Sequence, residues 1–233
     1  MVCRIGTDTM NTAGGARMTT IIAVALGTAL LLWILSGYLP TRNIAMPAYT
    51  VVAVKQDYEI RRYEPFIVAE TPREGDPAAA LSEGFNELFR YITGSNTGSS
   101  KIKMTAPVLR TPGPQGTKIP MTAPVLRQGA GAGTVVAFVM PPGSTMESLP
   151  RPTSPSVTLR QVPSRTVSVV TFSGYATEGA IEEKTESLLQ ALMRDGVAPR
   201  SVPAVALYDP PWTPPFMRRN EVMVEVGESG TGE

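Results

Sequence analysis

The sequence predicts an α+β body made of two similar halves, carried behind one N-terminal transmembrane helix. Three observations lead there. An order of strand, helix and strands occurs twice, with equivalent points separated by roughly 100 residues. The stretch Thr19 to Leu39, TTIIAVALGTALLLWILSGYL, carries no charge, and about 20 such residues suffice to cross a bilayer as a helix. Finally, the tract KIKMTAPVLR at 101–110 returns as KIPMTAPVLR at 118–127, and only one of the ten positions differs, Lys103 against Pro120.

In chain order, residues 1–18 are a tail in which Met10 and Met18 are alternative starts. The span at 19–39 follows, with Trp33 and Tyr38 toward its far end, where interfacial aromatics sit. A cleaved signal peptide has a shorter apolar core, roughly 7 to 15 residues, so a retained anchor is the preferred reading. Arg4 and Arg17 on one side and Arg42 and Lys55 on the other barely decide orientation. A short tail, one anchor and a large C-terminal domain place that domain on the exported side, periplasmic in a bacterium.

Residues 40–50 read as a linker, and 51–226 as the folded domain. From Val51 to Thr71 the chain alternates, with Tyr58, Ile60 and Arg62 on one face and Glu59, Arg61 and Tyr63 on the other. A helix then starts at the N-cap Asp76 with Pro77 at its first position, and stops before Gly94. Its apolar stripe is Leu81, Phe85, Leu88, Phe89 and Ile92. The two copies of the repeated tract, joined by turn formers at 111–117, predict a long-looped hairpin that the strand at 135–140 joins.

The second half opens with strand character from Val157 to Phe172. Its helix runs from Glu178 to Arg194, with Thr177 as N-cap, Gly196 as stop, and a stripe of Ile181, Thr185, Leu188, Leu189 and Leu192. Strands at 205–208 and 221–226 close the domain, and 227–233 is expected to be a disordered tail. Neither half is large enough to bury its own apolar face, so the two pack into one pseudo-two-fold body.

Composition narrows the chemistry. The 233 residues, 42% of them hydrophobic and 18% charged, hold one well-cored domain plus accessory segments. A formal charge of +1 without a long basic run argues against a nucleic-acid partner. There is no histidine, and the single cysteine, Cys3, precedes the anchor. A Ser-His-Asp triad, a Cys-His nucleophile, a structural zinc site and any histidine-ligated metal are therefore excluded within this chain. No acid–base pair stands out either, and a non-enzymatic protein is expected.

The segment Tyr208 to Val222 is as distinctive as the repeated tract. Four prolines, at 210, 211, 214 and 215, stiffen a loop that carries Trp212 and Phe216. Such a loop suits gripping a flat apolar ligand. Trp212 and Phe216 plugging one end of the fold, beside a solvated cluster of Arg218, Arg219 and Glu221, is the alternative.

With Tyr58-Glu59-Ile60-Arg61, the two repeated tracts and Tyr208 to Val222 in view, the chain resembles the SOUL haem-binding family across roughly 54–226. The resemblance implies a distorted β-barrel of two antiparallel four-stranded sheets with two flanking helices. It also implies a haem or other tetrapyrrole as ligand. Some members are described as placing a histidine on the iron, and here a ligand to iron would have to be Met, Tyr or another weaker donor, with Met104, Met121, Met217 and Tyr91 as candidates of equal standing.

Without a strong axial ligand, the expected mode is apolar contact with basic side chains at the propionates. Phe85, Leu88, Phe89, Ile92, Met104, Met121, Trp212, Phe216 and Met217 are the candidate lining. Lys101, Lys103, Arg218 and Arg219 are the candidate propionate partners. Domains of similar architecture that bind cations suggest a rival reading, a pocket for apolar or cationic small molecules with Glu87 as its carboxylate, although Glu83 and Glu87 read more naturally as solvent-facing.

Overall fold

The structure, a computed structural model, describes residues 12–41, 44–112 and 133–227. After the helix α1 (Thr12–Thr41) come strands β1 (Tyr49–Val54), β2 (Glu59–Tyr63) and β3 (Phe66–Arg73), then helix α2 (Pro77–Thr93). Strands β4 (Val108–Pro112), β5 (Thr134–Val139), β6 (Thr158–Val162) and β7 (Arg165–Phe172) follow. Helix α3 (Glu178–Arg194), β8 (Ala204–Leu207) and β9 (Asn220–Glu225) complete the order.

All nine strands belong to one sheet, in the order β1-β2-β7-β9-β8-β4-β5-β3-β6, and every pairing is antiparallel. This corrects the expected pair of four-stranded sheets related by a pseudo-two-fold axis. The overturning contact is the ladder of β4 on β8, with Val108, Leu109 and Arg110 opposite Leu207, Ala206 and Val205. That ladder fuses the sheet across its middle, while β1 lengthens one end only. A pairing between residues some hundred positions apart leaves no local trace in the sequence.

The curled sheet encloses one core on its inner face. Tyr63, Val68, Leu109, Ala137, Val139, Val162, Val167, Val169, Ala206 and Met223 form that cluster, so β2 to β9 all contribute. On the outer face α2 covers Ile67, Ala69, Val136 and Phe138, and α3 covers Ile60, Val222 and Val224. The period-two alternation predicted for β2 holds: Ile60 lies under α3, and Tyr63 points into the inner core.

Both domain helices start where their caps predict. Asp76 accepts from the amides of Ala78 and Ala79 at 3.1 and 3.0 Å, and Thr177 accepts from that of Ala180 at 3.3 Å. Gly94, which follows α2, takes a φ of +131°, and Gly196, beyond α3, takes +68°.

The face that α2 buries differs from its predicted stripe. Ala80, Gly84, Leu88, Tyr91 and Ile92 are turned inward, and Phe89 stands 44% exposed. Small residues explain the rotation, because Gly84 lets the helix settle on β5: a Cβ there would lie 2.6 Å from Val136 Cγ2. Gly84→Ala is therefore expected to lower stability by about 1 to 3 kcal/mol through overpacking, although alanine favours helix. Urea denaturation of the two proteins checks this, and an unchanged or raised midpoint would contradict it.

The predicted hairpin between the two tract copies lies outside the described residues, because the second copy does. The first copy is placed: it supplies Val108, Leu109 and Arg110 to the centre of the sheet, flanked by β5 and β8.

Candidate functional site

Among the described residues the inner face of the sheet is filled by its core cluster, and a set of ions lies beside that cluster. Glu221 on β9 is fully buried, and β2 brings it Arg61, which is 3% exposed. Glu221 Oε1 accepts from Arg61 Nη1 at 2.9 Å and from Arg219 Nη2 at 2.6 Å, and Oε2 accepts from the Tyr208 hydroxyl at 2.6 Å. Arg61 also meets Glu59 at 2.7 Å, and its guanidinium lies 4.7 Å from the Tyr49 ring centroid. The alternative of a solvated cluster at Arg218, Arg219 and Glu221 is corrected in two respects: Glu221 is buried and gathers Arg61, Arg219 and Tyr208, and Arg218 does not join it.

Burial pushes the Glu221 carboxyl up, but the Tyr208 hydroxyl and the guanidiniums of Arg61 and Arg219 outweigh it and hold it below the usual glutamate value. A carboxyl lowered on folding adds stability that is fully present above the ordinary value of 4.5 and is lost as pH falls through the lowered one. The wild type should therefore lose stability below pH 4.5 more steeply than Glu221→Gln does. Urea unfolding at a series of pH values measures this, and parallel acid limbs would contradict it.

Saturation of Glu221 also bears on the rival reading. A cationic ligand would have to displace two resident guanidiniums. Glu87 is no better placed: its side chain is 13% exposed, pairs with Arg90 and lies 3.7 Å from Arg73. Hydrogen bonding from Ser154, opposed by burial and reinforced by Arg90, holds its carboxyl low.

A large cavity lies outside the curled sheet, beyond the C-terminal end of α2. It has a volume of about 900 Å³, and the segments 97–103 and 141–151 wall it. Lys101, Lys103 and Arg151 bring positive charge, and Ile102, Met146, Leu149 and Pro150 bring apolar surface. Its walls are tied together. Asn96, 4% exposed, donates to the carbonyls of Tyr91 and Ser100 and accepts from the Ser100 amide at 2.9 Å. The Tyr91 hydroxyl donates to the Pro150 carbonyl at 2.9 Å, and the Arg151 amide donates to Thr97 Oγ1 at 2.9 Å. Pre-formed walls lower the ordering cost of binding.

A second cavity, of about 180 Å³, is lined by Ile44, Met46, Ala106, Tyr208, Asp209, Met217 and Arg219. Residues 101–106, the start of the repeated tract, run from the first cavity to the second.

The predicted site residues fall into separate groups. Lys101 and Lys103 share the large groove, and Met104, 40% exposed, follows them in the chain. Leu88 and Ile92 are core beneath α2. Phe85 packs edge-on against Phe138 and stacks on the exposed Phe89. Met217 lines the small cavity, whereas Trp212 and Phe216 stand 56% and 65% exposed and line neither. Arg218 donates to the carbonyls of Thr213, at 2.8 Å, and Pro211, and lies over the Tyr175 ring. Met121 lies outside the described residues.

Sequence reasoning missed Arg151 and Met146 as groove residues, Asn96 as the tie that holds one wall, and Arg61 and Glu221 as a buried pair. For the pair a signal existed, since Arg61 alternates with Tyr63 and Glu221 with Met223, on the inward face of each strand.

The domain thus presents a curled antiparallel sheet with a filled interior, helices on its outer face, and a basic, partly apolar groove beyond the end of α2. The family model for the SOUL heme-binding protein matches residues 44–225, and the chain belongs to that family. The family's description names binding, and the non-enzymatic assignment stands with it.

Heme-binding protein 2 of Homo sapiens is 31% identical over 140 residues, covering 60% of this chain, and that of Mus musculus is 28% identical. The chain spans 63% of the length of these relatives. In fold, it is similar to the EcmrR C-terminal domain (TM-score 0.53, 12% identity, 77% of this chain and 98% of that one). It is likewise similar to an uncharacterized conserved protein from Listeria innocua (TM-score 0.55, 13% identity, 75% of this chain and 94% of that one).

Proposed function

We propose that the chain is a membrane-anchored binding protein for haem or a related tetrapyrrole, held non-covalently, largely by apolar contact and without histidine ligation. The observation that carries this reading is the large pre-formed groove at Lys101, Lys103 and Arg151, outside a filled sheet, in a chain of the SOUL family. Its volume is in the range of small-molecule and cofactor sites. Its donors suit a tetrapyrrole of this kind: three cations for the propionates, and Ile102, Met146 and Leu149 for the ring. Bound haem would supply the absorbing, redox-active centre.

Methionines repack readily around a flat ligand, so Met104 and Met146, both exposed, fit as ring contacts. The exposed Phe89 stands one turn before the end of α2, which leads into the groove wall. The anchor belongs to the same proposal. Among the described residues one helix has a candidate span, Met18–Leu35, with a mean hydropathy of 2.3 and no part of it buried. In this reading the soluble domain lies on the exported side.

Hemin titrated into the full-length protein in nanodiscs, against empty nanodiscs, tests the reading. A saturable Soret shift at micromolar protein is expected, and its absence would sink the proposal. The double variant Lys101→Ala/Lys103→Ala should bind hemin about three- to tenfold more weakly, as expected for exposed charge pairs, with unchanged unfolding. An unaltered affinity would remove the groove from the account.

A further inference from the structure

The stiff loop at 209–217 is joined to the anchor. Trp33, near the C-terminal end of the candidate span, donates its indole N–H to the Trp212 carbonyl at 2.9 Å. One turn further, Gly37 is buried against the same loop, where a Cβ would lie 2.8 Å from Pro214 Cδ and 3.3 Å from Thr213 Cα. At 1.5 Å rise per residue, Trp33 lies about 3 Å before Leu35, the end of the most apolar stretch, and Gly37 about 3 Å before Leu39, where the uncharged run ends. The loop therefore stands level with the boundary between hydrocarbon and headgroups.

At that level the loop displays large aromatic side chains without cover. Trp212 is 56% exposed, Phe216 65%, and Tyr175, beneath the Arg218 guanidinium at 4.5 Å, 59%. Bonds from Arg218 to the loop carbonyls, and from the Gly174 amide to the Pro215 carbonyl at 2.8 Å, fix the shape in which they are held. Tryptophan and tyrosine beside a basic side chain are the composition of a membrane interface.

We propose that the 209–217 loop is a bilayer-contacting element: Trp212 and Phe216, flanked by Tyr175, insert among the lipid headgroups beside the end of α1. This rests on α1 being a membrane span, and it seats the small cavity at Met217 close to the bilayer surface. The occupant of the aromatic patch is lipid, not ligand.

Trp33 and Trp212 are the only tryptophans in the chain, which makes the test direct. Full-length wild type and Trp212→Phe are reconstituted in phosphatidylcholine vesicles with bromine either shallow or deep on the acyl chains. The variant keeps the backbone carbonyl that Trp33 bonds, so the emission it lacks belongs to Trp212. That component is expected to be blue-shifted and to lose more intensity to shallow than to deep bromines. A red-shifted, unquenched Trp212 component beside a quenched Trp33 would overturn the proposal and leave the span standing. If Trp33 is unquenched as well, span and loop insertion fall together. Phe216→Trp in the Trp212→Phe background must reproduce the shallow quenching, and a failure to do so with Trp33 still quenched also overturns the proposal.

Discussion

Glu221→Gln should lower the stability of the domain by about 3 to 5 kcal/mol, the cost of leaving buried charge without its partner. Glutamine keeps the volume and one acceptor, but it no longer offsets the charge on Arg61, which is 3% exposed and, among the described residues, is left with Glu59 as its anionic partner. Arg219 is less constrained, because its side chain is 33% exposed and can turn to solvent. The double variant Glu221→Leu/Arg61→Met removes both ions together. It should lose less than the sum of the two single changes, since apolar groups of similar volume replace a buried pair at little net cost. Chemical denaturation of the four proteins of the cycle measures this, and additive single effects would mean that the two residues are not coupled.

Leu88→Ala should cost about 2 to 5 kcal/mol, because Leu88 has no exposure and sits where α2 meets β5. The spread depends on how far the site collapses, and the neighbouring Ala80 and Gly84 have little side chain with which to fill the void. Hemin affinity of the folded fraction should be unchanged. That second readout separates core from ligand lining, since a tenfold loss of affinity with little loss of stability would return Leu88 to the site.

Different levels of the structure were legible in the sequence to different degrees. Helix limits were readable because their determinants are local: Asp76 followed by Pro77, Thr177, and the glycines at 94 and 196 act on the turn beside them. Strand faces at 58–63 were readable for the same reason, through alternation. The face of α2 was misjudged by about one position because the hydrophobic stripe gives weight to Phe85 and Phe89, whereas close approach to β5 favours the small Ala80 and Gly84.

The single sheet was not legible, since the β4–β8 ladder joins segments that no local pattern connects. The candidate site divided in the same way. Lys101 and Lys103 fell together because they are near in sequence, but Arg151 and Met146 reach the groove only through the packing of a distant loop. The aromatics of the 209–217 loop were recognised as unusual, and their exposure beside Trp33 points to lipid rather than to a ligand.

The most direct test of the central claim is a hemin titration of the full-length protein followed by absorption and magnetic circular dichroism together. The account predicts a saturable Soret shift with one hemin per chain, and a magnetic spectrum without the signature of strong axial nitrogen ligation, as befits a chain with no histidine. Hemin that stays distributed as in empty nanodiscs, with no saturation, would contradict it.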